Sequence, residues 1–224
     1  MISDSLRALE AEFAARLGAD WRERLTLVAV SKTAEPAAIR EAFEAGQTDF
    51  AENRVQELLR KQDALADLPI RWHLIGHLQT NKVRQVVGRV ETIQSVDSVR
   101  LAEAIRRECE KRDVTCRILV EVKTSVEPSK TGIDLEDAPE AVRQVLEMDR
   151  LILDGLMTMA PLEGGPDSAR ASFRKLRELH DALRASPGLG YRGTVLSMGM
   201  SQDFLVALDE GSTMVRIGTR IFRG

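Results

Sequence analysis

Short apolar runs alternate with stretches of helical periodicity along almost the whole chain. Several runs are apolar at every position, which is typical of parallel strands that are covered by helices on their outer side. Eight strands are predicted, at residues 25–30, 48–50, 71–75, 91–94, 116–122, 151–157, 194–196 and 214–217.

Helical periodicity fills the intervals between these runs. Leu6, Leu9 and Phe13 share one face of a first helix, which is predicted to end at Gly18. Further helices are predicted at 37–45, 55–65, 98–111 and 173–183, and Asp97 is the predicted N-cap of the helix at 98–111. One extra helix followed by about eight βα units predicts a (β/α)8 TIM barrel that forms a single domain over 1–224. An open, doubly wound sheet is the structural alternative.

Composition narrows the function classes. The chain has 224 residues, 43% of them hydrophobic, and a net charge of −3, so no basic field favours nucleic acid or an anionic membrane surface. No apolar run is long enough to span a membrane, and the N-terminus does not resemble a signal peptide, which predicts a cytoplasmic protein. Cys109 and Cys116 are predicted core residues. No metal site is expected, because Gly76 between His73 and His77 argues against a helix that presents both.

The first predicted strand ends in Ser31, Lys32 and Thr33. A lysine at a strand end can simply be solvated. A TIM barrel, however, carries its site at the carboxyl ends of its strands. A partly desolvated lysine there loses its proton more easily and can form a Schiff base with an aldehyde or ketone.

The last two predicted strands carry a second signal at their carboxyl ends. Gly199, Met200 and Ser201 precede a predicted helix, and Ser201 is its expected N-cap. Gly218 and Thr219 follow the last strand and offer close backbone approach and a hydroxyl. Barrels often bind phosphate at the loops after strands seven and eight, so a phosphate site is predicted here.

A Schiff-base lysine together with a phosphate site predicts pyridoxal 5′-phosphate as the cofactor. In this hypothesis Lys32 binds the aldehyde carbon, and Arg216 reaches the pyridine nitrogen. The alternative for Arg216 is an ion pair in the barrel wall.

Ordered motifs along nearly the whole chain resemble the YggS/PROSC family of pyridoxal-phosphate homeostasis proteins, which look like the N-terminal barrel of alanine racemase. The motifs are VAVSKT, FAENRVQE, WHLIGHLQTNK, EVKTSVEPSKTGI, GLMTM and LSMGMSQDFLVALDEGSTMVRIGTRIF. The departures are Pro128 and Arg223, and Arg223 is expected to lie beyond the site. The resemblance implies these cofactor-binding residues: Lys32 as the Schiff-base lysine, Asn53, His73, Met198, Ser201, Arg216, Gly218 and Thr219.

The family has no established reaction, so the resemblance implies a protein that binds pyridoxal phosphate and affects its cellular balance, with no catalytic residues. Apo-enzymes that use the cofactor are possible partners, a monomer is expected, and Lys130 is a candidate for transient binding during transfer. An amino-acid racemase is the alternative. It needs acid–base groups on both faces of the substrate, and the racemase's tyrosine belongs to a second domain that is not expected here. Tyr191 lies in a loop with no expected role. A third hypothesis is a lysine-dependent aldolase with Lys123 as its lysine.

Overall fold

Eight parallel strands close into a barrel in the computed structural model, which describes residues 1–125, 131–161 and 163–223. The barrel strands are β1 (Thr26–Val30), β2 (Asp49–Glu52), β3 (Arg71–Leu74), β4 (Thr92–Val96), β5 (Cys116–Lys123), β7 (Leu151–Met157), β8 (Val195–Ser197) and β9 (Met214–Ile217). The two-residue strand β6 (Ile133–Asp134) pairs with β5 at the outside of this ring. Because β4 also pairs with β5 and β1 with β9, the ring has no free edge. The predicted TIM barrel is confirmed, and the open sheet is excluded.

Helices surround this ring. They are α1 (Ile2–Leu17), α2 (Pro36–Glu44), α3 (Val55–Ala64), α4 (Val83–Val86), α5 (Val99–Arg112), α6 (Ala138–Leu146), α7 (Gly165–Ala185), α8 (Phe204–Asp209) and α9 (Thr219–Phe222), with 3-10 turns at Trp21–Glu23 and Thr80–Lys82. The predicted extra helix is α1, which precedes the first strand and packs on α2 and α9. Its buried face is formed by Leu6, Leu9 and Phe13.

One predicted helix start is wrong. Ser98, not Asp97, is the N-cap of α5, and its Oγ accepts a hydrogen bond from the backbone N–H of Leu101 at 3.2 Å. Ser98 has the extended backbone that an N-cap requires. The Asp97 carboxylate lies 2.7 Å from His77 Nδ1 instead. The sequence offered two good capping residues side by side, and their order along the chain did not decide between them.

The strand period of two divides the core into an inner and an outer part. Leu27 and Ala29 of β1 face the surrounding helices and belong to the large core. Val28 and Val30 form a separate small cluster with Met214 on the inner side of the barrel. The same alternation continues past the end of β1. The next position on the inner side is therefore Lys32, at the carboxyl mouth of the barrel.

The ends of β1 and β2 are fastened by a buried ion pair that we call the strand-end clamp (Ser31, Glu52, Lys61). Lys61 Nζ on α3 donates to Glu52 Oε1 and to the carbonyl of Ser31, each at 2.7 Å. The Ser31 hydroxyl donates to the same Glu52 oxygen at 2.6 Å. Both charged side chains are only 1% exposed. The clamp residues Ser31 and Glu52 directly precede Lys32 and Asn53, so the clamp fixes where those two side chains leave the barrel wall.

Replacing the clamp lysine by Lys61→Met should lower the free energy of unfolding by about 3–5 kcal/mol, because it leaves the Glu52 carboxylate buried without its counter-charge. Urea denaturation of the purified protein measures this loss. The neighbouring variant Arg60→Met is the matched control. Arg60 pairs with Glu57 at 2.9 Å, but its side chain is 46% exposed. Exposed pairs contribute at most about 1 kcal/mol, so equal losses in the two variants would contradict the importance of the clamp.

Candidate functional site

A cavity of about 620 Å³ opens at the carboxyl ends of the barrel strands. It lies where TIM barrels carry their sites. The structure brings six of the predicted site residues to its wall: Lys32, Asn53, Ser201, Arg216, Gly218 and Thr219. They come from four separate parts of the sequence, which the closed strand order makes neighbours.

Lys32 lies in the open mouth, beyond the last residue of β1. Its side chain is exposed. The expectation of a partly desolvated lysine is therefore not met, because the residue lies past the strand end, where solvent reaches it. Its primary amine is available to a ligand in the cavity.

The position of Asn53 depends on a neighbouring glycine, Gly76. A Cβ at Gly76 would lie 2.1 Å from the carbonyl oxygen of Asn53, so only glycine allows the end of β2 to approach the chain after β3 so closely. Within the part of the chain that the structure describes, the buried Oδ1 of Asn53 has no hydrogen-bond partner. An unpaired buried acceptor is costly, and this one belongs to a residue of the cavity wall.

Gly218 has a comparable role after β9. A Cβ there would lie 2.8 Å from the carbonyl oxygen of Val30, so the absence of a side chain lets the end of β9 pack against the end of β1. Thr219, the next residue, lines the same cavity as Lys32.

Ser201 reaches the cavity wall differently from the prediction. It is not the N-cap of α8, which begins at Phe204 and is preceded by Asp203. Ser201 lies in the turn before the helix, and Asp203 Oδ1 accepts a hydrogen bond from the backbone N–H of Met200 at 2.5 Å. Serine and aspartate are both good capping residues, and the helix starts two residues later than the sequence suggested.

The charge of the cavity is opposite in sign to that of the whole chain. Of the described residues in its wall, four are cationic and one, Asp203, is acidic, whereas the net charge of the protein is −3. The cations are Lys32, Arg216, Arg220 and Arg223. Part of this charge is compensated, since Arg220 also forms an ion pair with Glu12. The remaining excess favours an anionic ligand.

Arg223 was expected beyond the site, and that expectation is wrong. It lines the cavity four residues after Thr219, because one turn of α9 returns the chain to the same face. A backbone hydrogen bond from Arg223 N–H to the Thr219 carbonyl, at 2.9 Å, closes this turn.

Arg216 is buried in the floor of the cavity and is 4% exposed. Its Nη1 donates to Ser197 Oγ at 2.6 Å and its Nη2 donates to the carbonyl of Thr158 at 2.9 Å. Burial lowers the pKa of Arg216 to about 10, so the guanidinium remains charged at neutral pH. Among the described residues no carboxylate hydrogen-bonds to it, which excludes the wall ion pair that the sequence left open.

Two predicted site residues do not reach this cavity. His73 lines a separate cavity of about 350 Å³ at the amino ends of the strands. Ile75, two residues later on the same inner face, lines the mouth cavity in its place. Met198 is fully buried in the outer core, and Met200 lines the cavity instead. Both corrections follow from strand alternation, which fixes the side and the depth of each residue.

Four polar residues near the site were missed. They lie in or next to apolar strands and are buried: Gln94, Glu121, Thr158 and Ser197. Burial raises the pKa of Glu121 more than the hydrogen bond from Thr131 lowers it. A signal was present, since a glutamate inside the apolar run ILVEVK has no reason to be buried unless it has a partner.

The other candidate residues lie elsewhere. Lys123 is 3.7 Å from Asp134 and does not line the cavity. Tyr191 is buried, and its hydroxyl lies 3.0 Å from His180 Nδ1, which also gives His180 a structural partner. Lys130 and Pro128 fall outside the described residues.

Three general expectations can be compared with the described part of the chain. Cys109 and Cys116 are both buried and unbridged. No group of three or more His, Cys, Asp or Glu side chains there could hold a metal ion. Of the helices in that part, none combines the length and the apolar character that crossing a membrane requires.

Comparison with known proteins gives a consistent result. Residues 11–224 match the family described as alanine racemase, N-terminal domain. A protein of Aquifex aeolicus named pyridoxal phosphate homeostasis protein is 43% identical over 196 residues, which cover 88% of this chain and 85% of the relative.

Solved structures agree. PipY of Synechococcus elongatus, with pyridoxal phosphate bound, has a TM-score of 0.89 and 37% identity, and the match covers 99% of this chain and 100% of PipY. Alanine racemase of Clostridium difficile has a TM-score of 0.78 at 14% identity over 97% of this chain and 56% of the racemase, which shows a shared fold alone. The resemblance noted in the sequence is confirmed. The chain belongs to the alanine racemase N-terminal domain family and, within it, to the pyridoxal phosphate homeostasis proteins.

Proposed function

We propose that this protein binds pyridoxal 5′-phosphate in the mouth cavity, holds it as a Schiff base on Lys32, and contributes to the balance of the free and bound cofactor without turning over a substrate. One observation carries the proposal. An available lysine amine, the hydroxyl side chains of Ser201 and Thr219, and an excess of cationic groups line the same cavity. The bound cofactor in PipY, a protein of the same fold and 37% identity, supports it.

The residues fit the group. The phosphate requires anion-binding groups, and Ser201, Thr219 and the cationic wall supply them. The unpaired Oδ1 of Asn53 supplies an acceptor for a donor group of the ligand. The free amine of Lys32 adds to an aldehyde carbon, and water leaves as the C=N bond forms.

Arg216 determines what such a site does with the bound cofactor. When bound to a protein, this cofactor can act as an electron sink if its pyridine nitrogen is protonated. A guanidinium only donates hydrogen bonds, so Arg216 disfavours a proton on that nitrogen. The buried, charged Arg216 therefore argues against a transaminase, which needs that proton, but it does not separate a carrier from a racemase, because the similar racemase barrel uses an arginine too. Transfer of the cofactor to apo-enzymes is the cellular role that corresponds to a carrier.

The racemase alternative needs a second acid–base group on the opposite face of the substrate. The single tyrosine of the chain, Tyr191, is buried against His180 and is not part of the cavity wall. Among the described residues of that wall Asp203 is the one acidic side chain, and it already accepts the N–H of Met200. These contacts support a carrier. The aldolase alternative has less support, since Lys123 is outside the cavity.

Titration of the purified protein with pyridoxal phosphate tests the proposal directly. We expect a long-wavelength absorption band at one equivalent for the wild type, and no band for Lys32→Ala, because Lys32 is the one lysine among the described residues that lines the cavity. Lys123→Ala is the matched control, a second strand-end lysine, and it should retain the band. Loss of the band in the control with retention in Lys32→Ala would contradict the assignment.

The same sample distinguishes a carrier from a racemase. L-Alanine added in D₂O should produce neither D-alanine nor deuterium at Cα above the level of Lys32→Ala. Deuterium incorporation at Cα that depends on Lys32 would support the racemase alternative and contradict the carrier.

The phosphate contacts give an independent prediction. Thr219→Val removes one hydroxyl and keeps the shape of the side chain, so it should weaken pyridoxal phosphate binding about tenfold or more, as expected for a lost hydrogen bond to a charged group. Affinity for pyridoxal, which has no phosphate, should stay unchanged and serves as the internal control. Equal losses for both ligands, measured by absorption titration, would show that Thr219 does not contact the phosphate.

A further inference from the structure

A continuous series of buried hydrogen bonds runs through the barrel interior and joins the two cavities. Arg216 contacts Ser197 at 2.6 Å, and Ser197 contacts Gln94 Oε1 at 2.7 Å. Gln94 Nε2 lies 3.1 Å from His73 Nδ1, and His73 Nε2 lies 3.1 Å from Asp49 Oδ1. All five side chains are buried. We call this series the interior relay (Asp49, His73, Gln94, Ser197, Arg216).

The direction of the relay follows from chemistry at its upper end. A guanidinium has no acceptor, so Arg216 donates and Ser197 Oγ accepts. The carbonyl oxygen of Gln94 can only accept, so the Ser197 hydroxyl donates to it. The amide nitrogen of Gln94 therefore faces His73 as a donor.

The Asp49 end of the relay independently indicates the same direction of hydrogen-bond donation. Burial alone would raise the pKa of Asp49, but hydrogen bonds from His73 and Arg71 outweigh it and lower the pKa to about 2. Asp49 is thus an ionised acceptor, and His73 Nε2 carries the proton that it receives. His73 Nδ1 is then the acceptor that the Gln94 N–H requires.

A second contact fixes the Gln94 amide. Its Nε2 also lies 3.2 Å from Met214 Sδ, a weak acceptor. Rotating the amide would place its oxygen against that sulfur and its NH₂ against the Ser197 hydroxyl. Every bond of the relay is satisfied in one direction only, from the guanidinium to the carboxylate.

From this geometry we infer that Asp49, His73, Gln94 and Ser197 are positioning residues for Arg216, and that they hold its guanidinium through a one-way hydrogen-bond relay with His73 in the Nε2–H tautomer. The inference rests on the proposed function, in which Arg216 faces the cofactor. It gives His73 a role although His73 does not reach the mouth cavity.

The physical reason is the charge of Arg216. A buried cation needs compensation. The charges of Glu121 and Asp203 favour the charged form of Arg216 through space, but within the described residues no carboxylate hydrogen-bonds to it. Aligned hydrogen bonds in a low dielectric polarise one another. The relay therefore connects the buried positive end to the ionised Asp49 through three neutral side chains. It also fixes the guanidinium in one orientation, which a cofactor in the cavity would meet.

The first test needs no cofactor and changes no residue of the relay. Long-range ¹H–¹⁵N correlation spectra of histidine-labelled protein report which ring nitrogen carries the proton. The signals of His77 and His180 are assigned from His77→Gln and His180→Gln. We expect His73 as the neutral Nε2–H tautomer at neutral pH. An Nδ1–H or doubly protonated ring would overturn the inference.

The second test compares two carboxylates of the lower cavity. Asp49→Asn removes the charge at the end of the relay, whereas Asp154→Asn removes a carboxylate of the same cavity that pairs with Arg117 at 2.8 Å and has no place in the relay. Asp49→Asn should convert His73 to a mixture of tautomers and weaken pyridoxal phosphate binding about threefold to tenfold. Asp154→Asn should change neither. Equal effects of the two variants on cofactor affinity would overturn the inference.

Failure of the relay and failure of the proposed function give different results. If the wild type forms no band with pyridoxal phosphate, the proposed function fails, while the tautomer of His73 is still read from the protein alone. If the band forms and His73 has the wrong tautomer, only the relay fails.

Discussion

The pairing of the first barrel strand with the last determines the site. β1 and β9 are parallel neighbours in a register that sets Val28 beside Arg216. Lys32 follows two residues after Val30, and Gly218 follows two residues after Arg216, so both residues lie at the same mouth of the barrel. Because Gly218 has no side chain, the end of β9 can pack closely against Val30. An open sheet would leave these segments on opposite edges. Closure of the barrel therefore creates the cavity as well as the core.

Two buried polar systems act on this frame from opposite sides of the barrel wall. The strand-end clamp lies between the wall and α3, and the interior relay lies inside the barrel. Apolar side chains of similar volume often stabilise a fold at least as well as buried charges do. The main effect of both networks is thus to hold particular side chains in position, not to raise the stability of the fold. The clamp orients the segment that carries Lys32, and the relay orients Arg216, so the two groups that would meet opposite parts of one ligand are each held by a separate network.

Sequence reasoning captured what depends on local pattern. All eight barrel strands, the extra helix and the placement of Lys32 and Thr219 at strand ends follow from apolar runs and from the rule that sites lie at carboxyl ends. It was harder to predict how deep in the barrel a side chain lies and on which side of its strand it points. His73 and Met198 were assigned to the cavity by resemblance, but strand alternation puts one at the lower end and the other against the helices. Arg223 was missed because the final helical turn that brings it back is not visible in the pattern. The buried partners of Arg216 come from distant strands, so no local signal could connect them.

Peptide mapping after borohydride reduction tests the central claim most directly. Reduction fixes a Schiff base as a stable secondary amine, so mass spectrometry of the digested protein identifies the modified lysine. The account predicts one pyridoxyl phosphate group per chain, on the peptide that contains Lys32. Modification of a different lysine, or a spread over several lysines without preference for Lys32, would contradict it.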